Sequence, residues 1–290
     1  MRQIILSDHV SDVLDEMNKR REDRHAVKVE KYRNELKKRQ DSIDERKRLL
    51  TEAWKRRKFL QVIVNALEYL DGLTIAKPQI PFREGPDEID RKYLCGREGE
   101  QKVDGYLGAR LSDEWILLSG FRNFKGEIDR ILVGPGGIFS MEVKNRNGHI
   151  FCECDYWTLD KYDRYGKLVE GNIVIADGGK ENGKRRGPSR QLNEPTDMLE
   201  KFLKRTLPDC RICRIIIFTH ERARLGNLDN PTVDDVIFLH SGWNIESTIE
   251  KSSWRLKNPE VEKIVQKIKA YHQYMEKTMS SHRGGHKEAA

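Results

Sequence analysis

Four turn-forming residues at positions 134–137, Gly-Pro-Gly-Gly, constrain the fold of this chain more than any other feature. They separate two short segments, roughly Gly126 to Val133 and Ile138 to Lys144, that are rich in apolar and β-branched residues. Segments of this kind on either side of a glycine-rich turn are typical of a β-hairpin. The sequence therefore predicts two neighbouring antiparallel strands.

The hairpin also predicts which side chains face each other. If Val133 pairs with Ile138, then Asp129 faces Glu142 further along the ladder. Side chains directly opposite each other in an antiparallel pair have Cβ atoms roughly 4.5 to 5.5 Å apart. Two carboxylates at that distance repel each other unless they share a proton or a cation lies between them. We interpret the pair as a site for a divalent metal ion.

The alternation of side chains along the strands supports this register. Asp129, Glu142 and Lys144 share one face, as the two-residue period of a strand requires. The opposite face is apolar and can pack on helices: Ile128, Leu132, Phe139, Met141 and Val143. Arg130 lies on that apolar face, so it needs a charged partner or the edge of the sheet. In an alternative interpretation, Lys144 only pairs with its opposite neighbour Glu127, and Asp129 accepts hydrogen bonds at a strand end.

The composition is that of a folded protein with a large solvated surface. The 290 residues are 37% hydrophobic and 35% charged, which suffices for one good core and an appendage. No stretch approaches the roughly 20 apolar residues of a membrane span, and the polar start lacks the apolar segment of a signal peptide. Five cysteines, an odd number, favour reduced thiols over disulfides. We expect a cytoplasmic protein with no membrane partner.

Positive charge is concentrated near the start of the chain. The formal net charge is +7 with a pI of about 9.0, and residues 17–58 alone hold 17 Lys and Arg against 8 Asp and Glu. Such a segment can contact the phosphates of a nucleic acid. It can equally be a solvated helix supported by ion pairs four residues apart. A third interpretation is a contact with a second copy or a partner protein.

Residues 1–94 predict a basic helical extension and a linker. From about Asp8 to Leu70 there is no proline or glycine. Apolar residues recur there every seven positions: Val29, Leu36, Ile43 and Leu50. The alternate seam positions are mostly polar, so the pattern predicts a long helix or helical hairpin with weak coiled-coil character. We expect the apolar segment from Phe59 to Leu70 to be buried and residues 71–93 to form the linker.

Residues 95–245 predict a compact α/β domain, and residues 246–290 a C-terminal amphipathic helix with a frayed tail. The expected core order is helix, mixed sheet, helix, strand. Helices are expected at 97–110, 188–206 and 259–275, and strands at 115–121, 126–133, 138–144, 149–157, 214–219 and 236–240. The polar, glycine-rich segment 160–186 is expected to be a long surface loop or a small excursion from the domain. Glu100 lies on the side of the first helix that faces the sheet.

Five sequence blocks in a fixed order resemble a known family. They are Gly96-Arg-Glu-Gly-Glu100, Gly126-Glu-Ile-Asp129, Val133-Gly-Pro-Gly-Gly-Ile-Phe139, Glu142-Val-Lys-Asn145 and Gly148-His-Ile150. An aspartate followed by Glu-x-Lys on the next strand, after a helix that carries a glutamate, resembles the PD-(D/E)xK nuclease superfamily with its restriction-endonuclease-like core. More narrowly, the blocks resemble the nuclease-related domain, NERD, over about residues 95–220.

The resemblance implies a cofactor and the residues that bind it. Asp129 and Glu142, with the backbone carbonyl of Val143, would hold Mg²⁺ or Mn²⁺. Lys144 would act at the phosphate or on the attacking water. Glu100 is implied as an accessory acid and metal ligand. Its alternative role is a carboxylate that the first turn of a helix favours without any catalytic duty.

The second helix carries one further residue that the resemblance implies. Gln191, in Pro188-Ser-Arg-Gln191, resembles the glutamine that the family has on this helix. Its alternative role is a capping or surface glutamine. The chain also departs from the superfamily pattern, because Ile128 precedes the aspartate where the pattern has proline.

Together these residues predict a Mg²⁺-dependent deoxyribonuclease. Hard oxygen ligands suit Mg²⁺, and the bound ion can activate a water and neutralise charge on the phosphate. RNA is an alternative substrate, since such a site recognises a phosphodiester before it recognises a sugar. The alternative from a different class is a non-cleaving nucleic-acid-binding or scaffold protein that keeps the nuclease fold.

Two other motifs suggest different chemistry. Residues 178–184 have the G-x-x-x-x-G-K spacing of a phosphate-binding loop, but Arg185 stands where that loop needs Ser or Thr. We interpret this segment as a basic loop. Four cysteines could supply zinc ligands, although cysteines in apolar strands more often serve as packing: Cys152, Cys154, Cys210 and Cys213.

Overall fold

A computed structural model describes residues 1–181, 184–252 and 254–284. Its contacts divide the chain into two compact units, the larger formed by Met1–Ser11 with the chain from Arg91 onward, and the smaller by Asp12–Asp90. The predicted domain boundaries at residues 95 and 246 stay a prediction. Two residues of the phosphate-loop motif, Asn182 and Gly183, lie outside the described residues.

The smaller unit contains a helical hairpin of α1 (His9–Lys55) and α2 (Phe59–Thr74). The turn between them has the hydrogen bonds of a Schellman motif, in which the N–H groups of Arg57 and Lys58 donate to carbonyls of the last turn of α1 at 3.0 and 3.1 Å. Arg57 takes the left-handed φ of 54° that this motif requires. Arg46 then links the two helices, because it donates to the Glu68 carbonyl at 2.6 Å.

Two expectations for this region are wrong. The apolar segment from Phe59 to Leu70 is not buried, since Leu60 is 84% exposed and Leu67 is 63% exposed. The linker is shorter than predicted, because α2 continues to Thr74 and the next helix, α3, already begins at Glu88 and ends at Gly108.

The larger unit is organised around a mixed sheet, as predicted. In chain order the strands are β1 (Arg2–Ile5), β2 (Ile116–Asn123), β3 (Gly126–Gly134), β4 (Gly137–Lys144), β5 (Gly148–Glu153), β6 (Tyr156–Tyr162), β7 (Leu168–Val174), β8 (Asp177–Glu181), β9 (Lys184–Arg186), β10 (Ile212–Phe218), β11 (Ala223–Asp229) and β12 (Asp235–Phe238). Six of them form the main sheet in the order β1-β2-β3-β4-β10-β12. β10 is parallel to both β4 and β12, whereas β2, β3 and β4 are antiparallel. The predicted α/β fold class is confirmed; the short strand β1 was not expected.

The predicted register of the hairpin is also confirmed. Val133 lies opposite Ile138, and the ladder continues in step to Arg130 opposite Met141. Side chains alternate between the two faces of the sheet. One apolar cluster contains Leu132, Phe139 and Met141, and the other contains Ile131, Val133 and Ile138.

Helices cover both faces of the main sheet. α3 packs on one face through Val103 and Leu107. The other face is covered by α4 (Pro188–Lys204) and, after the short α5 (Ile245–Lys251), by α6 (Asn258–Gly284). α6 is longer than expected, because residues 280–284 of the predicted frayed tail continue the helix; residues 285–290 are outside the described part of the chain. Of the helices in the described residues, none is long and apolar enough to cross a membrane.

One expectation about the sheet faces is wrong. Ile128 was expected on the same face as Leu132, but it lies in the opposite apolar cluster. The ladder of β2 and β3 skips Gly120 and Asp129, and Gly120 takes a left-handed φ of 71°. The pairs on either side keep the same register, so neither strand has an extra residue. The alternation of side chains nevertheless shifts by one position on both strands, since Phe121 and Ile128 lie in the same cluster as Leu118 and Ile131.

A second sheet packs beside the main one, in the order β11-β5-β6-β7. The single strand expected at 149–157 is wrong, because Cys154 and Asp155 take φ values of 46° and 64° and turn the chain between β5 and β6. The surface loop expected at 160–186 is also wrong in part, since that segment contains β7, β8 and β9. Ile150 and Trp157 anchor this sheet to the apolar core.

We predict that Gly120→Ala lowers the stability of the larger unit by about 2 to 4 kcal/mol. A Cβ at this position would lie 2.0 Å from the carbonyl oxygen of Ser7, and the left-handed φ adds strain. The measurement is urea unfolding followed by circular dichroism. Gly105→Ala is the matched control, since a Cβ there meets nothing within 4 Å and alanine in a helix is favoured by up to about 1 kcal/mol. Equal losses in the two variants would contradict this account.

Candidate active site

Asp129 lies where the regular pairing of β3 is interrupted. The ladder with β4 ends at Arg130, and the ladder with β2 skips Asp129. The carboxylate instead accepts a hydrogen bond at Oδ2 from the backbone N–H of Val143, at 2.7 Å. The side chain of Asp129 therefore reaches β4 at the residue that follows Glu142. The hydrogen bond that fixes the carboxylate agrees with the alternative interpretation, in which Asp129 accepts hydrogen bonds at a strand end.

Glu142 and Lys144 form a buried ion pair on β4. They are 4% and 8% exposed, and Glu142 Oε1 lies 2.8 Å from Lys144 Nζ. Lys144 Nζ also donates to Gln191 Oε1 at 2.8 Å. Buried opposite charges need such additional hydrogen bonds to offset their lost hydration. Glu127, the partner of Lys144 in the alternative interpretation, forms an ion pair with Arg122 at 2.6 Å.

Gln191 lies in the first turn of α4, which begins directly after β9. Pro188 is the first residue of the helix, a position where its missing N–H costs nothing. The side chain of Gln191 is held at both ends, because its Oε1 accepts from Lys144 and its Nε2 donates to the carbonyl of Arg186 at 2.5 Å. Gln191 thus lies beside Lys144 in spite of the intervening strands. Arg186 was not singled out from the sequence as the residue that holds Gln191. Its position just before the start of α4 could have indicated such a contact.

Arg130 finds the charged partners that its place on an apolar face requires. Its guanidinium donates to Asp104 at 2.6 and 3.0 Å and to Glu100 at 2.9 Å. Both carboxylates come from α3, which packs on this face of the sheet. Glu100 therefore faces the sheet as predicted, and it does so as the partner of a buried arginine.

The carboxylates of this region have raised pKa values. Burial and the neighbouring charge of Asp129 raise the pKa of Glu100 to about 7, even though Arg130 acts in the opposite direction. Burial also raises the pKa of Asp129, against the effects of the Lys144 charge and the Val143 hydrogen bond. Burial is the largest cause in both cases, because it disfavours the ionised form, and the neighbouring carboxylates add to it. An added cation would lower both.

Gly99 allows α3 to approach the ends of β4 and β10. A Cβ at this position would lie 2.8 Å from Thr219 Oγ1 and 2.9 Å from the Cβ of Asn145. Asn145 Nδ2 in turn donates to the carbonyl of Cys95 at 2.9 Å. Gly99 in the first motif block is therefore needed for close packing of α3 on the sheet. The same close approach brings Glu100 to the sheet.

The donor set fits a hard divalent ion that needs few protein ligands. Within the described residues, no three His, Cys, Asp or Glu side chains form a group that could hold a metal ion. Mg²⁺ commonly takes only one or two carboxylates and keeps several waters. Asp129 and Glu142 supply two carboxylates. The raised pKa of Asp129 means that its ionised form is unfavourable, and a bound cation would stabilise that form. These residues fit Mg²⁺ or Mn²⁺ as a two-carboxylate site.

The four cysteines considered as zinc ligands lie in a different environment. Cys152 and Cys210 are buried in the apolar core, whereas Cys154 is exposed. Burial raises the pKa of Cys152 to about 11 and that of Cys210 to about 12, which disfavours the thiolate that binds zinc. The surroundings of Cys152 and Cys210 indicate packing.

Comparison with known proteins agrees with the motifs. Residues 95–219 match the family model of the nuclease-related domain, NERD. No curated protein and no solved structure matches the chain at a significant level. The family resemblance predicted from the five sequence blocks is therefore confirmed for this segment.

We predict that Arg130→Met lowers the free energy of unfolding by about 3 kcal/mol, because Glu100 and Asp104 lose the buried cation between them. The measurement is chemical denaturation. Arg211→Met is the control in the same unit, since Arg211 forms an exposed ion pair with Asp234 at 2.8 Å and should cost less than about 1 kcal/mol. A loss at Arg130 no larger than that at Arg211 would show that the buried cluster contributes little.

Proposed function

Because residues 95–219 form a nuclease-related domain, we propose that this chain is a metal-dependent nuclease that hydrolyses phosphodiester bonds of DNA. Asp129 and Glu142 hold Mg²⁺ or Mn²⁺, Lys144 assists the attacking water, and Glu100 is an accessory acid. The observation that carries the proposal is the buried Glu142–Lys144 pair beside the carboxylate of Asp129. Buried charged groups with perturbed pKa values that cluster in this way are typical of functional sites.

Each residue has a role that follows from its contacts. The hydrogen bond from Val143 N–H fixes the orientation of the Asp129 carboxylate, and the backbone carbonyl of Val143 is the proposed third ligand. The bound ion would supply a water of lowered pKa and neutralise charge on the phosphate. Gln191 holds the Lys144 ammonium from the side of α4. Lys144 can then orient a water or stabilise a phosphate oxygen without having to reorganise.

Charge supports a nucleic acid as the substrate. α1 contains most of the basic segment 17–58, whose side chains are largely exposed, and such a surface can contact phosphates regardless of sequence. DNA is our proposal, and RNA is the alternative, because a phosphate-directed site is common to both. We also propose a cytoplasmic location, where free thiols such as the five of this chain stay reduced.

One observation favours a second candidate, a nucleic-acid-binding or scaffold protein that does not cleave. Glu142 already has a cation 2.8 Å away in Lys144, and Glu100 has Arg130 at 2.9 Å. A metal ion would have to compete with these partners for the carboxylates. If it fails to do so, the domain keeps its fold without turnover.

Substitution of the proposed ligands separates the two candidates. We predict that Asp129→Asn and Glu142→Gln each reduce Mg²⁺-dependent DNA cleavage by at least about 100-fold, because each removes a metal donor, and that Lys144→Ala does the same through loss of charge at the phosphate. Cleavage is measured on linear, circular and single-stranded DNA, with RNA in parallel. A cut circle would identify internal scission.

Glu153→Gln is the matched control, since Glu153 is an exposed carboxylate on β5 and its variant should cleave like the parent. Calorimetric titration of Mn²⁺ gives a second readout, in which the parent takes up the ion and Asp129→Asn and Glu142→Gln do not. DNA binding without cleavage under either ion would favour the scaffold alternative. Cleavage that survives all three site variants would exclude these residues as the catalytic set.

A further inference from the structure

Helix α2 has an apolar side that faces away from α1. Its buried and half-buried residues form one side of the helix: Val62, Asn65, Ala66, Tyr69 and Gly72. That side meets α1, since Arg46 lies within 2.9 Å of a Cβ built on Gly72. The opposite side carries the outer stripe, which we define as Leu60, Ile63, Val64, Leu67 and Leu70; each of these is more than half exposed. A helix that is apolar on two opposite sides needs a second partner.

The spacing of the outer stripe indicates that this partner is a helix. Leu60, Ile63, Leu67 and Leu70 are separated by three, four and three residues, the spacing of a helix–helix seam. The inner side of α2 uses a similar spacing against α1. Two such seams on opposite sides of one helix are typical of a helix inside a bundle.

The exposed area is that of a protein interface. Phe59, Leu73 and Ile75 flank the stripe and are 68%, 45% and 49% exposed. At these exposures each side chain leaves on the order of 100 Å² in water. The stripe and its flanks therefore amount to roughly 800 Å², the area that one partner contributes to a standard dimer. Scattered apolar residues on a monomer do not reach such a continuous area.

The charges at the two ends of α2 are complementary. Four cations precede the helix, at positions 55–58, and Asp71 lies four residues beyond Leu67 on the side of the outer stripe. Asp71 contacts Arg46 of its own chain at 3.4 Å, but its side chain is 75% exposed and can accept a second cation. In an antiparallel pair of α2 helices centred near Val64, Lys58 of one copy comes within a helical turn of Asp71 of the other. The same acid would be costly on a stripe that enters lipid. The charge pattern thus favours a second copy over a membrane surface.

We propose that the outer stripe binds the outer stripe of a second copy of this chain in antiparallel orientation. The two helical hairpins form a four-helix bundle, with each α2 packed between its own α1 and the α2 of the other copy. An antiparallel arrangement about a twofold axis makes the two contact surfaces identical, as most homodimers require. The proposal concerns the smaller unit alone and stands independently of the nuclease assignment.

Light scattering on the full chain tests the dimer. The parent should have twice the 33.9 kDa mass of the chain. Ile63→Glu combined with Leu67→Glu should raise the dissociation constant on the order of 100-fold, since it places unpaired charges in the seam. Gln61→Glu is the matched control, because Gln61 is exposed on a flank of α2 outside the stripe and should leave the mass unchanged. Circular dichroism checks that all three proteins keep the same helix content.

A charge exchange tests the antiparallel orientation. Asp71→Lys should weaken the dimer at least about tenfold, because the new lysine would face Lys58 of the other copy. Asp71→Asn is the control, since it also ends the contact with Arg46 but adds no positive charge, and it should weaken the dimer less. Adding Lys58→Asp to the same chain should restore the affinity, since the pair is then reversed. A double variant that stays as weak as Asp71→Lys would overturn the antiparallel arrangement.

Two results would overturn the proposal as a whole. One is a parent that remains a monomer up to about 100 μM, a concentration that reveals even weak dimers. The other is a double Glu variant that dimerises like the parent. Sedimentation with vesicles of phosphatidylcholine and phosphatidylserine covers the lipid alternative: a monomeric parent that pellets with vesicles, and loses this property in the double Glu variant, would assign the stripe to a membrane surface.

Discussion

The buried ion pair of Glu142 and Lys144 is the interaction on which the arrangement of the larger unit depends. Removing two opposite charges from water costs several kcal/mol per ion, and their attraction offsets this cost only when the geometry is fixed and the remaining hydrogen bonds are made. β4 fixes the geometry because β3 and β10 hold it from both sides. α4 supplies the amide of Gln191. The turn at 134–137, the helix start at Pro188 and the parallel strand β10 are therefore all needed to keep two charges in the interior.

The sequence predicted the parts of this arrangement that follow from local rules. A glycine-rich turn and a two-residue period determine the register of β3 and β4 as far as Arg130 and Met141. The position of Asp129 beside β4 could therefore be derived from one hairpin. The errors arise where the chain breaks the period. At Gly120 a left-handed residue shifts the alternation and moves Ile128 to the other face. At Cys154 and Asp155, two non-glycine residues adopt positive φ and divide one expected strand into two, and no composition rule signals this turn.

The helical hairpin shows a different reason for a failed prediction. The apolar character of α2 indicated burial, and the physics of that inference is sound, because such a surface is costly in water. The sequence of one chain does not identify the surface that covers the apolar residues of α2. The inner side of α2 meets α1 as a helical hairpin should, whereas the outer stripe is exposed within the isolated chain. If the outer stripe is buried, as its apolar character predicts, it must be covered by another molecule.

The balance of charge around Asp129 connects the fold to its proposed chemistry. Burial raises the pKa values of Asp129 and Glu100, and neighbouring carboxylates add to this effect, Glu127 for Asp129 and Asp129 for Glu100. Ionised Asp129 therefore adds a costly negative charge beside the pair of Glu142 and Lys144. Protonation of Asp129 can remove this negative charge, but it converts a proposed metal ligand into a neutral acid. A divalent cation removes the same charge and leaves the carboxylates as ligands. A cation bound to these carboxylates would also reduce their repulsion of an anionic phosphate, which connects the proposed metal site to the proposed substrate.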